Sequence, residues 1–223
     1  MKLKKILTIF ILSIFLTIII YNISYKERNN ILLLGDNNIQ SLVKENYIYY
    51  LNQDNQINEV NNLFINDNKT YKDIMNDILN NKKIYYKKEY SYLNKYINNS
   101  DYILLSANNN EYASKCNKSI RVLKEYNNIL FNDVSKIVNL INKMSNSQVI
   151  IIGNYCSVYN EEISDYLEKL YKDYKYINMY KLYNEYKNNN LEYQIYKEIS
   201  VKMKKRTWFS NKIMVNYIMK LFL

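Results

Sequence analysis

The chain has 223 residues, 48% of them hydrophobic, which is enough for the core of one ordinary domain. It contains no histidine, and that excludes a histidine general base, a Ser-His-Asp triad and a histidine metal ligand. The net charge of +10 fits work beside an anionic membrane better than nucleic-acid binding, because the positives are scattered among Asn and Tyr and form no nucleic-acid motif.

The first element in chain order is apolar. Three lysines, Lys2, Lys4 and Lys5, precede an unbroken run from Ile6 to Tyr21, about 16 residues or roughly 24 Å as a helix. That is slightly short of the ~30 Å hydrocarbon core, but Lys4 and Lys5 can snorkel and Tyr21 suits the interface. No small-x-small cleavage site and no lipobox cysteine follows. An uncleaved signal anchor is therefore preferred over a cleaved signal peptide, and a buried core helix fits such an apolar run least. The positive-inside rule predicts a cytoplasmic N-terminus and an extracytoplasmic domain. The expected organisation is a single-pass anchor in the cell membrane over 1–27, a folded domain over 28–204 and a basic extension over 205–223.

Three apolar runs, 31–35, 102–107 and 149–153, predict buried strands, and 83–87 and 175–180 predict two weaker ones. They are continuous rather than alternating, as in parallel strands covered on both faces. Helix-length amphipathic stretches occupy 38–52, 69–81, 117–145 and 159–174. This alternation predicts an α/β fold, a doubly wound parallel five-stranded sheet. Ligands in such sheets bind at the carboxyl ends of the strands, here the segments starting at Gly35, Ala107 and Gly153.

Composition is otherwise skewed to Tyr, Asn, Lys and Ile, amino acids that share AT-rich codons, and runs such as 108–110 and 188–190 read as loop filler. Cys116 and Cys156 are too far apart for a CxxC motif. They are either one disulfide, in an extracytoplasmic domain, or two buried thiols. Lys204, Lys205 and Arg206 open a last stretch with Trp208, Phe209, Ile213 and Met214, interrupted by polar residues at helical spacing. It is too interrupted to span a bilayer, and either lies on one as an amphipathic helix or packs on the domain.

Five segments, in order over about residues 30 to 204, resemble the blocks of SGNH/GDSL hydrolases. "ILLLGDNNIQSL" (31–42) resembles the first block, a strand followed by Gly-Asp-Ser and a helix. "DYILLSANNNEY" (101–112) resembles the third, a strand then Ser-x-Gly-x-Asn-Asp. "VIIIGNYCSVY" (149–159) and "YKYINMYKLY" (174–183) resemble the fourth and fifth strands. "NEYKNNNLEYQIYKEIS" (184–200) resembles the last block, with Tyr193 matching its tyrosine.

The resemblance implies a flavodoxin-like sheet and an esterase site, yet the residues that would carry the reaction differ. Asn37 stands at the nucleophilic serine, Asn184 at the catalytic aspartate and Lys187 at the histidine. The second-block glycine has no counterpart within 60–80, and the third-block glycine is Asn108. Asn110 matches the third-block asparagine, with Glu111 where aspartate is common. A carboxamide cannot be activated by a base as a serine hydroxyl can, and a lysine is protonated near neutral pH unless strongly desolvated. Neither Ser41 nor Ser106 sits at the elbow. Asp36 is retained, where it is expected to cap the following helix or turn.

The expected function is a membrane-anchored, extracytoplasmic SGNH-hydrolase-like protein without an intact catalytic triad, a binding or scaffolding module. Its vestigial pocket, lined by Asp36, Asn37, Asn108, Asn110, Asn154 and Lys187, is expected to hold a polar or carbohydrate-like ligand through amide hydrogen bonds. It calls for no cofactor, no metal and no nucleic acid. Two other readings stand beside it: an active serine-type esterase or acylhydrolase with a rearranged site, and a structural membrane protein of unrelated α/β fold.

Overall fold

Three aliphatic-rich strands organise the molecule, because each is hydrophobic on both faces and must be covered twice. A computed structural model of the protein describes residues 29–35, 57–63, 69–154, 161–181 and 184. In chain order its elements are β1 (Asn29–Gly35), β2 (Ile57–Asn62), α1 (Tyr71–Leu79), β3 (Lys83–Tyr86), β4 (Glu89–Tyr92) and α2 (Leu93–Asn98). They continue with β5 (Tyr102–Ser106), α3 (Asn109–Lys115), α4 (Ile120–Met144), β6 (Gln148–Ile152), α5 (Glu161–Leu170) and β7 (Lys175–Ile177).

Five strands form one parallel sheet in the order β2-β1-β5-β6-β7. The chain leaves β1 in one direction to make β2 and later steps to the other side to make β5, β6 and β7. The order therefore reverses at the β1–β5 seam. Leu32, Leu34, Ile103, Leu105, Val149 and Ile151 alternate onto one face and join a core with α1, α2, α4 and α5. The opposite face, with Ile31, Leu33, Leu104 and Ile150, is buried as completely. The 25-residue α4 contributes Leu123, Leu130, Val134, Ile137 and Ile141 to the first face, a stripe spaced by three, four or seven residues. Thr70 starts α1 with a capping box: its hydroxyl accepts from Asp73 N at 3.1 Å, and Asp73 Oδ2 accepts from Thr70 N at 2.9 Å.

The five-stranded parallel α/β sheet agrees with the sequence, but one strand in it is different. Residues 83–87 do not enter the sheet. Lys83–Tyr86 pairs antiparallel with Glu89–Tyr92 in a separate hairpin. Lys87 and Lys88 at its tip have φ of 50° and 66°, the pattern of a two-residue type I′ turn, although neither is the usual Asn or Gly. The fifth strand is instead Ile57–Asn62, "INEVNN", an edge strand whose polar composition hides it. Strand β7 also stops earlier than expected, because Asn178 Oδ1 accepts from Tyr180 N and Lys181 N at 3.1 and 3.3 Å and starts a helical turn. Among the described residues no helix is long and apolar enough to cross a membrane. The apolar run 6–21, the helix expected over 38–52 and the extension 205–223 lie outside the described residues.

Gly153 closes β6 where a side chain has no room. A Cβ there would stand 2.8 Å from the Tyr176 ring carbon that bears the hydroxyl and 3.0 Å from Ile177 O. Gly153→Ala is expected to cost about 1–3 kcal/mol, an overpacking effect. Urea denaturation measures it, and a smaller cost in a Tyr176→Phe background would locate the clash at the tyrosine.

Candidate functional site

Open α/β sheets bind ligands outside the carboxyl ends of the strands, where the strand order reverses. Here that place is the end of the β1–β5 seam. Gly35 terminates β1 with φ of 148°, a conformation that side chains disfavour and glycine tolerates. Across the seam its register partner is Ser106, the last residue of β5. Leu105 pairs with Ile151, so Ile152 ends β6 at the same level as Ser106. Three strand ends thus stand in one row, followed by Ala107–Asn108 on β5 and Gly153–Asn154 on β6.

Two buried polar atoms in this row have no hydrogen-bond partner among the described residues. They are Ser106 Oγ, on a residue with 0% exposure, and Asn154 Oδ1, on a residue with 6%. Buried polar groups are normally satisfied, so a pair of orphans at one end of a sheet marks that end for a ligand or ordered water.

Asn108 is differently placed. It adopts the left-handed conformation, φ 64° and ψ 21°, which asparagine tolerates better than other side chains. Its Oδ1 accepts from Tyr71 N at 2.8 Å, satisfying the first amide of α1. Its Nδ2 donates to Glu111 Oε2 at 3.0 Å and to Tyr126 Oη at 3.2 Å. Asn108 N donates to Lys69 O at 2.9 Å, so the two segments hold each other in both directions. The carboxamide is engaged in fastening β5 to α1 and α4. Asn110 is the second residue of α3 and is exposed. Asn184 is helical and half-buried. Asp36, Asn37, Ser41, Lys187 and Tyr193 lie outside the described residues.

Behind the row sits a tyrosine cluster. Tyr112 of α3 accepts from Asn127 Nδ2 at 3.2 Å and meets Tyr180 Oη at 3.5 Å. Burial pushes the Tyr112 hydroxyl above the ordinary tyrosine range, against the opposing pull of Tyr180 and Asn127. Burial raises Tyr126 as well, and the neighbouring Glu111 carboxylate adds to it. Both phenols are held neutral and act as hydrogen-bond donors or acceptors, not as bases.

No protein-family model, curated protein or solved structure matches this chain.

The chemistry of the site rests on its own residues. Ser106 is the one hydroxyl on the strand-end row, and no base reaches it among the described residues. The sequence carries a hint of it, a serine ending an apolar run, but its position opposite Gly35 follows only from strand register. No group of three Cys, Asp or Glu side chains among the described residues is arranged to hold a metal. Cys116, at the end of α3, is in a disulfide, and Cys156, outside the described residues, is the one other cysteine in the chain. An open hollow of about 570 Å³ lies at the other end of the sheet, lined by Asn29, Asp101, Ser147 and their neighbours. Its polar groups are engaged internally: Ser147 Oγ donates to Ser100 O at 2.6 Å, and Asp101 Oδ2 accepts from Asn30 N at 2.7 Å.

Proposed function

We propose that this protein is a membrane-anchored, extracytoplasmic binding module with an SGNH-hydrolase-like domain that has lost its catalytic triad. The observation that carries this reading is the left-handed Asn108, at the position where the third block of that family has glycine. A glycine-like backbone kept by one of the few side chains that tolerate it is what a diverged copy of that loop would show. Gly35, with φ of 148° at the turn out of β1, is in keeping with the first block. The orphaned Ser106 Oγ and Asn154 Oδ1 supply a hydroxyl and an amide oxygen for a polar or carbohydrate-like ligand. The Cys116 disulfide agrees with an oxidising compartment outside the cytoplasm.

An active, rearranged esterase is the second reading, and Ser106 opposite Gly35 is what favours it. Full-length protein assayed with chromogenic short-chain esters separates the two. The binding reading expects no turnover above buffer. Turnover that disappears in Ser106→Ala, Asn110→Ala or Lys187→Ala would instead establish the esterase. On the binding reading, a neutral oligosaccharide panel should contain a ligand that raises the melting temperature. A ligand at a hundred times its Kd adds about 2.7 kcal/mol, and Asn154→Ala should abolish that gain.

A further inference from the structure

The β3–β4 hairpin presents a face that no other described residue covers. Lys83 pairs with Tyr92 and Tyr85 with Tyr90, so these four side chains share one side of the ribbon. Tyr85, Tyr90 and Tyr92 are 59%, 69% and 53% exposed. Ile84 and Tyr86, on the other side, pack on the core. Three neighbouring tyrosines left in solvent are a surface feature that calls for a partner. Lysines surround them. Lys83 Nζ stands 4.9 Å over the Tyr90 ring, and Lys88 at the tip is exposed. Lys87 is paired with Glu59 at 2.5 Å, whereas Lys83 and Lys88 form no salt bridge among the described residues.

The hairpin also stands at a particular end of the molecule. Lys87 at its tip grips Glu59 and Asn61, whose strand partners are Asn30 and Leu32 in the first half of β1. Its base is joined to α2, with Leu93 N donating to Lys82 O at 2.9 Å, and α2 leads to the amino end of β5. The tip thus lies along the β2 edge of the sheet, and the base lies towards the amino ends of the strands. The chain enters the sheet from that end, only seven residues (22–28) after the apolar run closes at Tyr21. Fully extended, seven residues reach about 25 Å.

We propose that this hairpin docks the domain onto the anionic bilayer that holds its N-terminal run, with the tyrosines at headgroup level and Lys83 and Lys88 against anionic lipid. The inference rests on the anchored reading above. A stacking platform for sugars is disfavoured, because the Tyr85 and Tyr90 rings, 4.9 Å apart, are tilted by 48° and form no flat surface.

The test uses the full-length chain in nanodiscs of phosphatidylcholine, with and without phosphatidylglycerol. Tyr90→Trp in a Trp208→Phe background gives a single reporter, and brominated lipid reads its contact with the bilayer. Strong quenching is expected in the anionic discs and little in the neutral ones. Lys83→Gln with Lys88→Gln should lower the docked fraction relative to the undocked by roughly tenfold or more. No quenching in either lipid while the protein co-purifies with the discs overturns the docking and leaves the anchor standing, and equally strong quenching in both overturns the anionic-lipid recognition that the proposal assigns to Lys83 and Lys88. An unquenched reporter with two chains crosslinked through the hairpin assigns the face to a second copy, which also overturns it. A chain that does not co-purify with discs removes the anchor, and the docking falls with it.

Discussion

Raising the pH from about 10 to about 11 is expected to remove about 3 kcal/mol of folding free energy, about 1 kcal/mol for each strongly buried tyrosine. Tyrosines whose protons burial holds carry this effect, with Tyr126, Tyr171 and Tyr176 the most strongly raised and Tyr112 shifted the same way. Tyr112, Tyr126 and Tyr171 are 1%, 8% and 5% exposed, and burial holds each hydroxyl above its ordinary value of 10.0. Tyr171 sits among other rings, stacked on Tyr176 with centroids 4.3 Å apart. Above pH ~10 the unfolded chain progressively loses these protons while the folded protein still holds them, so stability falls with pH at up to about 1.4 kcal/mol per tyrosine per unit. The contribution is complete below the unfolded value and is lost as pH climbs through the raised folded values. Urea midpoints at about pH 9 and about pH 11 measure the loss, and the ultraviolet absorbance of tyrosinate should rise together with unfolding. Tyr171→Phe should make the slope shallower. A protein equally stable at both pH values would show that these phenols ionise in place.

Asn108→Ala is expected to be the most damaging substitution near the candidate site, at about 2–4 kcal/mol. Alanine is disfavoured by about 1 kcal/mol or more in the left-handed conformation. It also leaves the buried Tyr71 N without its acceptor and removes the donors to Glu111 and Tyr126. Asn108→Gly restores the backbone freedom but not the hydrogen bonds, and should recover about 1 kcal/mol of the loss. The ranking wild type, Gly, Ala in urea midpoint is the signature. A loss below about 0.5 kcal/mol for Ala would place Asn108 outside the structural framework and return its amide to ligand binding.

The strands that the sequence disclosed are those buried on both faces. "ILLLG", "YILLS" and "VIII" are readable because a central parallel strand needs apolar residues at every position. Helices α1, α4 and α5 were equally legible from their apolar stripes. Strand β2 was not, since at an edge Val60 and Asn61 are buried while Glu59 is exposed, and its polar letters are those of a loop. The hairpin was misread as a sheet strand because β-propensity reports a pleated, half-buried surface and not which sheet supplies it. Its turn gave no warning, with lysines at both positive-φ positions.

For the candidate site the sequence pointed to the carboxyl end of the sheet and to the loops that follow its strands, because a glycine or asparagine after an apolar strand is a local signal. It grouped Asn108, Asn110 and Asn154 as equivalent amides, and the fold separates them. Asn108 is locked to a backbone amide 37 residues away, Asn110 faces solvent on α3, and Asn154 is buried with its oxygen unpartnered among the described residues. Ser106 drew little notice in the sequence, yet it lies level with Gly35.

By itself the sequence determined the α/β class, the apolar strands, the absence of histidine chemistry and the basic charge, all of which follow from composition and short-range periodicity. Tertiary structure decided the strand order, the pairing of Gly35 with Ser106, which amides are engaged and which are orphaned, and the exposure of the tyrosine hairpin. The physical reason is that a hydrogen-bond partner or a covering surface is set by residues distant in the chain. Local sequence specifies only that a polar group needs a partner, and the fold specifies whether it has one.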